Sequence, residues 1–384
     1  MNILLISPYF SPAVGGVETH LTDLCKYLVS KKHQVFVRTY KAMGVKNRGE
    51  TEEEGKFLKI HRFWWPDFNL IFKLEKYPVL KFLYLFTGLF FDCFIFMIKN
   101  SKKIDVIQSH GFIAAMMGVI LGKLFNKRVV INTHVGFRFN KGFMTEIIKW
   151  TLLNSDKILV LTTGIKKSLV NLGIPEKKID IYHYWVDQRI FKRQKNGKEK
   201  LGWKDKFIVL FVGRLIEVKG VKKIFDLAKV LKDMRFVIIG LGPLAHQLKQ
   251  KSSSYKNVEF VGKIDNENLP LYYSAADILL IPSQLIEQEY GEGIPRVMIE
   301  ALSCGLPVIS TKSGAISDIF SDRIGILVED DIESMRKAIE KFYKNKIYYQ
   351  IIAENCRRYA LNHFSINNAH IIEESLFWFL KKFL

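Results

Sequence analysis

The chain has 384 residues, 48% of them hydrophobic and 25% charged; it is too long for one ordinary core and too apolar for a disordered chain, so two domains of roughly 150 to 200 residues are expected. Its four cysteines (Cys25, Cys93, Cys304 and Cys356) are scattered and form no CxxC pair, which argues against a zinc site or a disulfide framework and for a reducing cytosol. The formal charge of +20 is uneven: residues 56–149 hold fifteen Lys and Arg against five Asp and Glu, a field that attracts nucleic acid, anionic lipid and acidic small molecules alike.

Met1 runs directly into Asn2-Ile3-Leu4-Leu5-Ile6, without a basic stretch, apolar core and cleavage pattern, so no signal peptide is expected. In the first half, short runs at 3–7, 34–39, 104–109, 129–133 and 157–161 read as strands. Between the first two, Val17, Leu21, Leu24 and Leu28 recur at helical spacing and predict a helix over 16–31. A proline-bearing loop enters that helix through Gly15 and Gly16. Glycines there let backbone N–H groups approach a ligand, and the helix N-terminus favours negative charge.

Residues 79–98 are apolar but carry Lys81 and Asp92. The uninterrupted run 82–91 is shorter than the about 20 residues needed to span a bilayer, so a buried or interfacial helix is expected. Of the nine histidines, His110 and His134 directly follow predicted strands, where α/β domains present functional groups. The charged stretch 187–206 has no periodicity and reads as a linker. Beyond it, strands are expected at 207–211, 236–239, 258–260, 278–281 and 308–310. Alternating strands and helices in both halves predict two doubly wound parallel-sheet domains, with a crevice at the carboxyl ends of their strands.

Two motifs of the second half carry chemistry. Gly213-Arg214-Leu215-Ile216-Glu217-Val218-Lys219-Gly220 sets two cations on one loop just past a strand; Arg214 can fork onto phosphate oxygens, and Lys219 adds a mobile point charge. Next, Tyr290-Gly291-Glu292-Gly293-Ile294-Pro295-Arg296 continues through Glu300 to Cys304-Gly305. Pro295 suits a first helical position and Gly305 a helix stop, predicting a helix over 295–304. Glu292 then lies ahead of the helix and Glu300 inside it, roughly 7 to 8 Å deep at 1.5 Å per residue.

This block resembles the E-x7-E signature of the retaining glycosyltransferases of family 4, the glycosyl transferases group 1, which have the GT-B fold of two Rossmann-like α/β domains facing across a cleft. The resemblance extends over nearly the whole chain. It takes in the Gly15-Gly16 loop, Asp105-Val106-Ile107-Gln108-Ser109-His110, Thr133-His134, Gly213-Arg214, Lys219-Gly220, Gly240-Leu241-Gly242 and Ala276-Asp277-Ile278 leading to Pro282-Ser283. It implies an acceptor-side domain over 1–186, a linker over 187–206, a nucleotide-sugar domain over 207–364, and a last helix over 365–384 that crosses back to the first domain.

By that resemblance Arg214 and Lys219 bind a diphosphate, Glu300 the ribose hydroxyls and Glu292 a hydroxyl of the donor sugar. Gly293 and Ile294 help to place the sugar, and Gly242 lines the nucleotide pocket. Gly16, with Gly15 beside it, approaches from the first domain; His134 faces the donor sugar, and His110 is an acceptor-side candidate. Pro295 departs from the pattern, since many members carry glycine there and proline offers no N–H. The resemblance further implies retention at the anomeric carbon, with the leaving phosphate accepting the acceptor's proton. Glu292 and Glu300 are then not a glycosidase pair.

The sequence has no Asp-x-Asp and no compact acidic cluster, so neither a metal nor another cofactor is expected. The partners expected are a nucleotide-sugar donor, a glycan or lipid-linked acceptor and an anionic membrane surface, not nucleic acid. The basic segment, with Phe63-Trp64-Trp65 and the run 82–91, suits a cytoplasmic enzyme held peripherally on the inner face of a membrane. Two other readings compete. A dehydrogenase of the Rossmann type would need a G-x-G-x-x-G after the first strand, which is absent. A non-catalytic lipid- or nucleic-acid-binding module on a transferase scaffold would not need Arg214, Lys219, Glu292 and Glu300 together.

Overall fold

A computed structural model describes residues 1–13, 15–42, 49–66, 74, 77–134, 142–204, 206–284 and 293–378. The chain forms two compact units, Met1–Tyr182 with Asn368–Leu384, and His183–Asn367.

The first unit is built on β1 (Asn2–Ile6), β2 (Gln34–Tyr40), β3 (Glu52–Glu54), β4 (Leu58–Phe63), β5 (Val106–His110), β6 (Arg128–Asn132), β7 (Lys157–Val160) and β8 (Ile179–Ile181). Their order is β3-β4-β2-β1-β5-β6-β7-β8, parallel throughout except for the β3–β4 pair. Ile3, Leu4, Leu5 and Ile6 are all fully buried, because a parallel strand is covered on both faces and reads as a continuous apolar run. Helices α1 (Gly16–Ser30), α2 (Pro78–Asn100), α3 (Phe112–Phe125), α4 (Phe143–Leu153) and α5 (Thr163–Asn171) belong to this unit. Chain order reverses between β1 and β5. That switch point is where an open α/β sheet presents ligands.

Helix α2 covers the apolar stretch 79–98 that was expected to form a helix. It runs unbroken for 23 residues, and the stretch Val79–Lys103, which contains an 18-residue window of mean hydropathy 1.9, is long and apolar enough by length and composition to cross a membrane. Asp92 does not interrupt it, because its carboxylate is paired inside the unit with Arg38 at 3.3 Å and His61 at 3.2 Å. Leu85, Leu89, Cys93 and Met97, at four-residue spacing, bury one face. On the other, Val79, Leu80, Leu83, Phe91, Ile95 and Ile98 are exposed.

The second unit carries a six-stranded, all-parallel sheet in the order β11-β10-β9-β12-β13-β14. These strands are β9 (Phe207–Val212), β10 (Met234–Ile239), β11 (Val258–Gly262), β12 (Ile278–Ile281), β13 (Val308–Thr311) and β14 (Gly325–Val328). Its helices are α6 (Gly197–Lys200), α7 (Lys223–Val230), α8 (Ala245–Ser252), α9 (Leu269–Ala275), α10 (Arg296–Ser303), α11 (Ile316–Ile319), α12 (Ile332–Lys344) and α13 (Lys346–His363). Here the chain order reverses between β9 and β12.

Residues 187–206 lie within this unit. Phe191 and Trp203 are each 2% exposed, the Trp203 indole donates to Glu259 at 3.2 Å, and Lys198 pairs with Asp277 at 2.6 Å. Two buried aromatics anchor a segment whose charges are otherwise solvated. The last helix, α14 (Asn367–Phe377), packs in the first unit, where Glu373 accepts from the Tyr27 hydroxyl at 2.6 Å and from His33 Nε2 at 2.9 Å.

Candidate active site

In the second unit, β9 leaves the sheet at the switch point and enters Gly213-Arg214-Leu215-Ile216, followed by a tight turn over Glu217–Lys219. Gly220 closes the turn at φ 66°, and a Cβ there would stand 1.8 Å from the Pro282 carbonyl oxygen; only glycine satisfies both the left-handed backbone and the close approach. The loop is also laced to the one that follows β10. Leu215 N donates to Leu241 O at 2.8 Å, and Leu244 N to Leu215 O at 3.1 Å. A Cβ on Gly242 would lie 2.5 Å from Leu215 O, so Gly242 is small because two backbones meet there.

The outcome is a rigid wall bearing an exposed Arg214 and a half-buried Lys219. Burial, and then the neighbouring Arg214 charge, push the Lys219 ammonium down to about 8. An anion on this wall would relieve the repulsion, which is the electrostatic requirement of a phosphate site.

Glu300 sits in α10, 3% exposed. One carboxylate oxygen accepts from the Tyr273 hydroxyl at 2.8 Å, and the other pairs with Arg296 Nε at 3.1 Å. Arg296 also donates to the Trp185 carbonyl at 3.3 Å. This internal network fixes the carboxylate in place. Burial and the Glu300 charge hold the Tyr273 phenol well above its ordinary range, so it stays a donor. Ile294 is buried and Gly293 half-buried just ahead of the helix. Pro295 is the capping residue rather than the first helical one. Glu292 lies outside the described residues.

In the first unit, β1, β5 and β6 bring the other candidates to one end of the sheet. Gly15, with extended backbone, caps α1, and Gly16 opens it. His110 ends β5, and His134 stands two residues past β6. His110 Nδ1 and His134 Nε2 are 3.1 Å apart. The ring planes differ by 12° and the centroids are 5.2 Å apart, so the imidazoles meet edge to edge through an N–H···N bond. Burial pushes His134 down to about 3, and burial together with His134 holds His110 well below its ordinary value. Both rings are therefore neutral near pH 7. Beside them Gln108 donates to Asn132 at 3.0 Å, tying the ends of β5 and β6.

Four neighbours of the candidate residues escaped the sequence reading: His20, Tyr182, Tyr273 and Arg296. His20 is fully buried in α1, its ring against those of His134 at 5.9 Å and Tyr182 at 5.7 Å. Its position four residues before Leu24 marks it only as a member of the buried stripe. Arg296, four residues before Glu300, carried a readable helix-pair signal. Tyr182 and Tyr273 reach their partners only through the fold.

Two parallel-sheet α/β units, each with candidate side chains at its switch point, define a GT-B architecture. The family model described as Glycosyl transferases group 1 matches residues 193–360, and that described as Glycosyltransferase Family 4 matches residues 14–189. The chain belongs to this family of glycosyltransferases.

It is 25% identical to an uncharacterized glycosyltransferase of Methanocaldococcus jannaschii, with 95% of each chain covered. It is 24% identical to the phosphatidylinositol N-acetylglucosaminyltransferase GPI3 subunit of Saccharomyces cerevisiae, covering 88% of this chain and 75% of that one. Among solved structures it resembles sucrose-phosphate synthase from Thermosynechococcus elongatus, with TM-score 0.81, 19% identity and both chains fully covered. HepE of Anabaena in complex with UDP-glucose gives TM-score 0.73 at 17% identity, covering 98% and 99% of the two chains.

Proposed function

We propose that this glycosyltransferase is retaining and metal-independent, and that it moves a sugar from a nucleotide-diphosphate donor to an acceptor hydroxyl in glycan, glycolipid or lipid-linked oligosaccharide synthesis. The observation that carries the reading is the Arg214–Lys219 wall, where two cations share one loop and burial has pushed Lys219 down to about 8. Such a wall is preorganised for the charge that a departing diphosphate acquires. As the glycosidic bond breaks, a leaving phosphate oxygen takes the proton of the incoming hydroxyl, so no protein carboxylate has to attack. Glu300 takes the ribose, and Gly293 and Ile294 the sugar together with Glu292. The UDP-glucose named in the HepE structure supports a nucleotide-sugar donor.

A panel of UDP-, GDP- and ADP-sugars, read by nucleotide release and by NMR of the product's anomeric proton, tests this. Transfer with the donor's configuration is expected, unchanged by EDTA. An inverted product overturns retention. Turnover lost to chelator and restored by Mg²⁺ overturns metal independence.

We further propose that the enzyme docks peripherally on an anionic cytoplasmic membrane surface and meets a lipid-linked acceptor there. Phe91 and Ile98 of α2 are 61% and 59% exposed, Phe143 and Trp150 of α4 are exposed as well, and so are Lys99, Lys102, Lys103 and Lys123. Lys123 lies 4.9 Å from the Trp150 ring centroid, an apolar and cationic pairing suited to the headgroup boundary. Each basic side chain near such a surface contributes about 1 kcal/mol. The phosphatidylinositol in the name of the yeast relative supports a lipid acceptor.

In vesicle flotation the protein should rise with phosphatidylserine-containing vesicles and not with pure phosphatidylcholine. Binding should fall with salt and with Lys99, Lys102 and Lys103 changed to Gln. Equal recovery on both lipids at low salt overturns the docking and leaves the transferase reading intact.

A further inference from the structure

We propose that the second unit holds a binding site for a small soluble anion carrying two or more phosphate groups, at the end of its sheet opposite the Arg214–Lys219 wall. A cavity of about 560 Å³ opens there, and Lys204, Lys206, Lys232, Arg235 and Lys256 line it. Among the described residues Glu199 is the one acid in the lining, and it is already paired with Lys204 at 3.0 Å.

Lys206 lies directly before β9, Lys232 two residues before β10 and Lys256 two residues before β11. These strands are neighbours in the sheet, so the amino ends of three parallel strands bring the basic groups together. Arg214 stands past the carboxyl end of β9, and that six-residue strand, at about 3.3 Å per residue, sets the two ends about 20 Å apart. The cavity is therefore separate from the candidate donor site.

Its rim is held from within. Asn257 donates to the Ala228 carbonyl at 3.0 Å and to the Leu231 carbonyl at 3.2 Å, which ties the turns that carry Lys232 and Lys256. The buried Trp203 donates its indole N–H to Glu259 at 3.2 Å and anchors the segment that carries Lys204 and Lys206. The side chains of Lys206, Lys232 and Lys256 are exposed and make no ion pair among the described residues. Cations that only solvate a surface spread apart, whereas these converge on one concavity, where the field is focused and a polyanion offsets their repulsion. The volume lies in the range of small-molecule sites, and a recessed cavity does not match a flat bilayer. With the indole buried, recognition falls to the charges, through phosphate oxygens.

The first arm of the test titrates inorganic tripolyphosphate calorimetrically into the whole chain carrying Arg214→Ala and Lys219→Ala, which disables the candidate donor site. One-to-one binding is expected, and orthophosphate should bind far more weakly. Adding Lys206→Gln, Lys232→Gln and Lys256→Gln should weaken tripolyphosphate binding by roughly tenfold to hundredfold, with little change in melting temperature because all three are exposed. No binding before those changes, unchanged affinity after them, or equal affinity for orthophosphate overturns the proposal.

The second arm uses the wild-type chain and reads lysine acetylation by mass spectrometry. Tripolyphosphate should protect Lys206, Lys232 and Lys256 and leave Lys102 and Lys103 of the first unit reactive. Absent protection, or equal protection of all five, overturns the site. Phosphatidylserine vesicles should leave Lys206, Lys232 and Lys256 reactive, and their protection by vesicles overturns a soluble ligand. Neither arm needs turnover, so both stand apart from the transferase reading.

Discussion

Replacing Arg214 or Lys219 by alanine should lower kcat by about 10²- to 10³-fold, the range found when one preorganised group serving transition-state charge is removed. Both side chains stand on a loop held by backbone contacts, with Gly220 under Pro282 and Leu215 laced to Leu241 and Leu244. The melting temperature should therefore change little, and turnover measured at saturating donor separates chemistry from folding. Normal turnover in both variants would remove the diphosphate assignment.

A pH signature accompanies this. Lys219 lies at about 8 in the folded chain against an ordinary 10.5, so kcat/KM of the wild type should fall above about pH 8 as its charge is lost. Arg214 is one cause of the depression, so in Arg214→Gln that alkaline limb should move to higher pH. The linkage to stability has the matching sign. The folded chain carries the unfavourable Lys219 charge in full below about pH 8, and the penalty fades as pH climbs from there toward 10.5, where the unfolded chain binds the extra proton.

The largest stability effect is expected at Arg296 and Glu300, whose side chains are 6% and 4% exposed and 3.1 Å apart. Arg296→Met leaves a buried carboxylate without its cation, and Glu300→Gln leaves a buried guanidinium without its anion. Each should cost about 3 to 5 kcal/mol in denaturant unfolding. Glu300→Gln keeps an acceptor for Tyr273, which places it at the lower end. The double variant should recover most of the loss, because the pair's desolvation disappears along with its attraction. Additive losses would show that the two do not act as a pair. The same double variant tests the ribose role: a folded protein with wild-type nucleotide affinity would remove Glu300 from the donor site.

Much of the architecture was legible because it rests on local periodicity. The continuous apolar run of β1 and the helical spacing of Val17, Leu21, Leu24 and Leu28 need no tertiary information, and each predicted strand has its counterpart. Strands β3, β4, β8 and β14 were missed. The first has the sequence Glu-Glu-Glu and is fully exposed, and the others are short or partly exposed, so none shows the buried-strand pattern. The apolar stretch 79–98 was read as a helix and α2 spans it; local sequence does not show that Asp92, which interrupts the apolar run, is paired with Arg38 and His61 from two strands.

The sequence by itself determined two parallel α/β halves, because strand, turn and helix signals are set by neighbours a few positions apart, and the order of its motifs carried the resemblance to glycosyltransferases, with Arg214, Lys219 and Glu300 in the second half. Only the tertiary structure decided how the groups are held. Tyr273 and Arg296 close on Glu300, Leu215 meets Gly242, and His110 meets His134 across 24 positions of sequence. Protonation and charge follow from such encounters. Burial and proximity are properties of the packed chain, and they turned a lysine into one pushed down to about 8 and two histidines into a neutral, hydrogen-bonded pair.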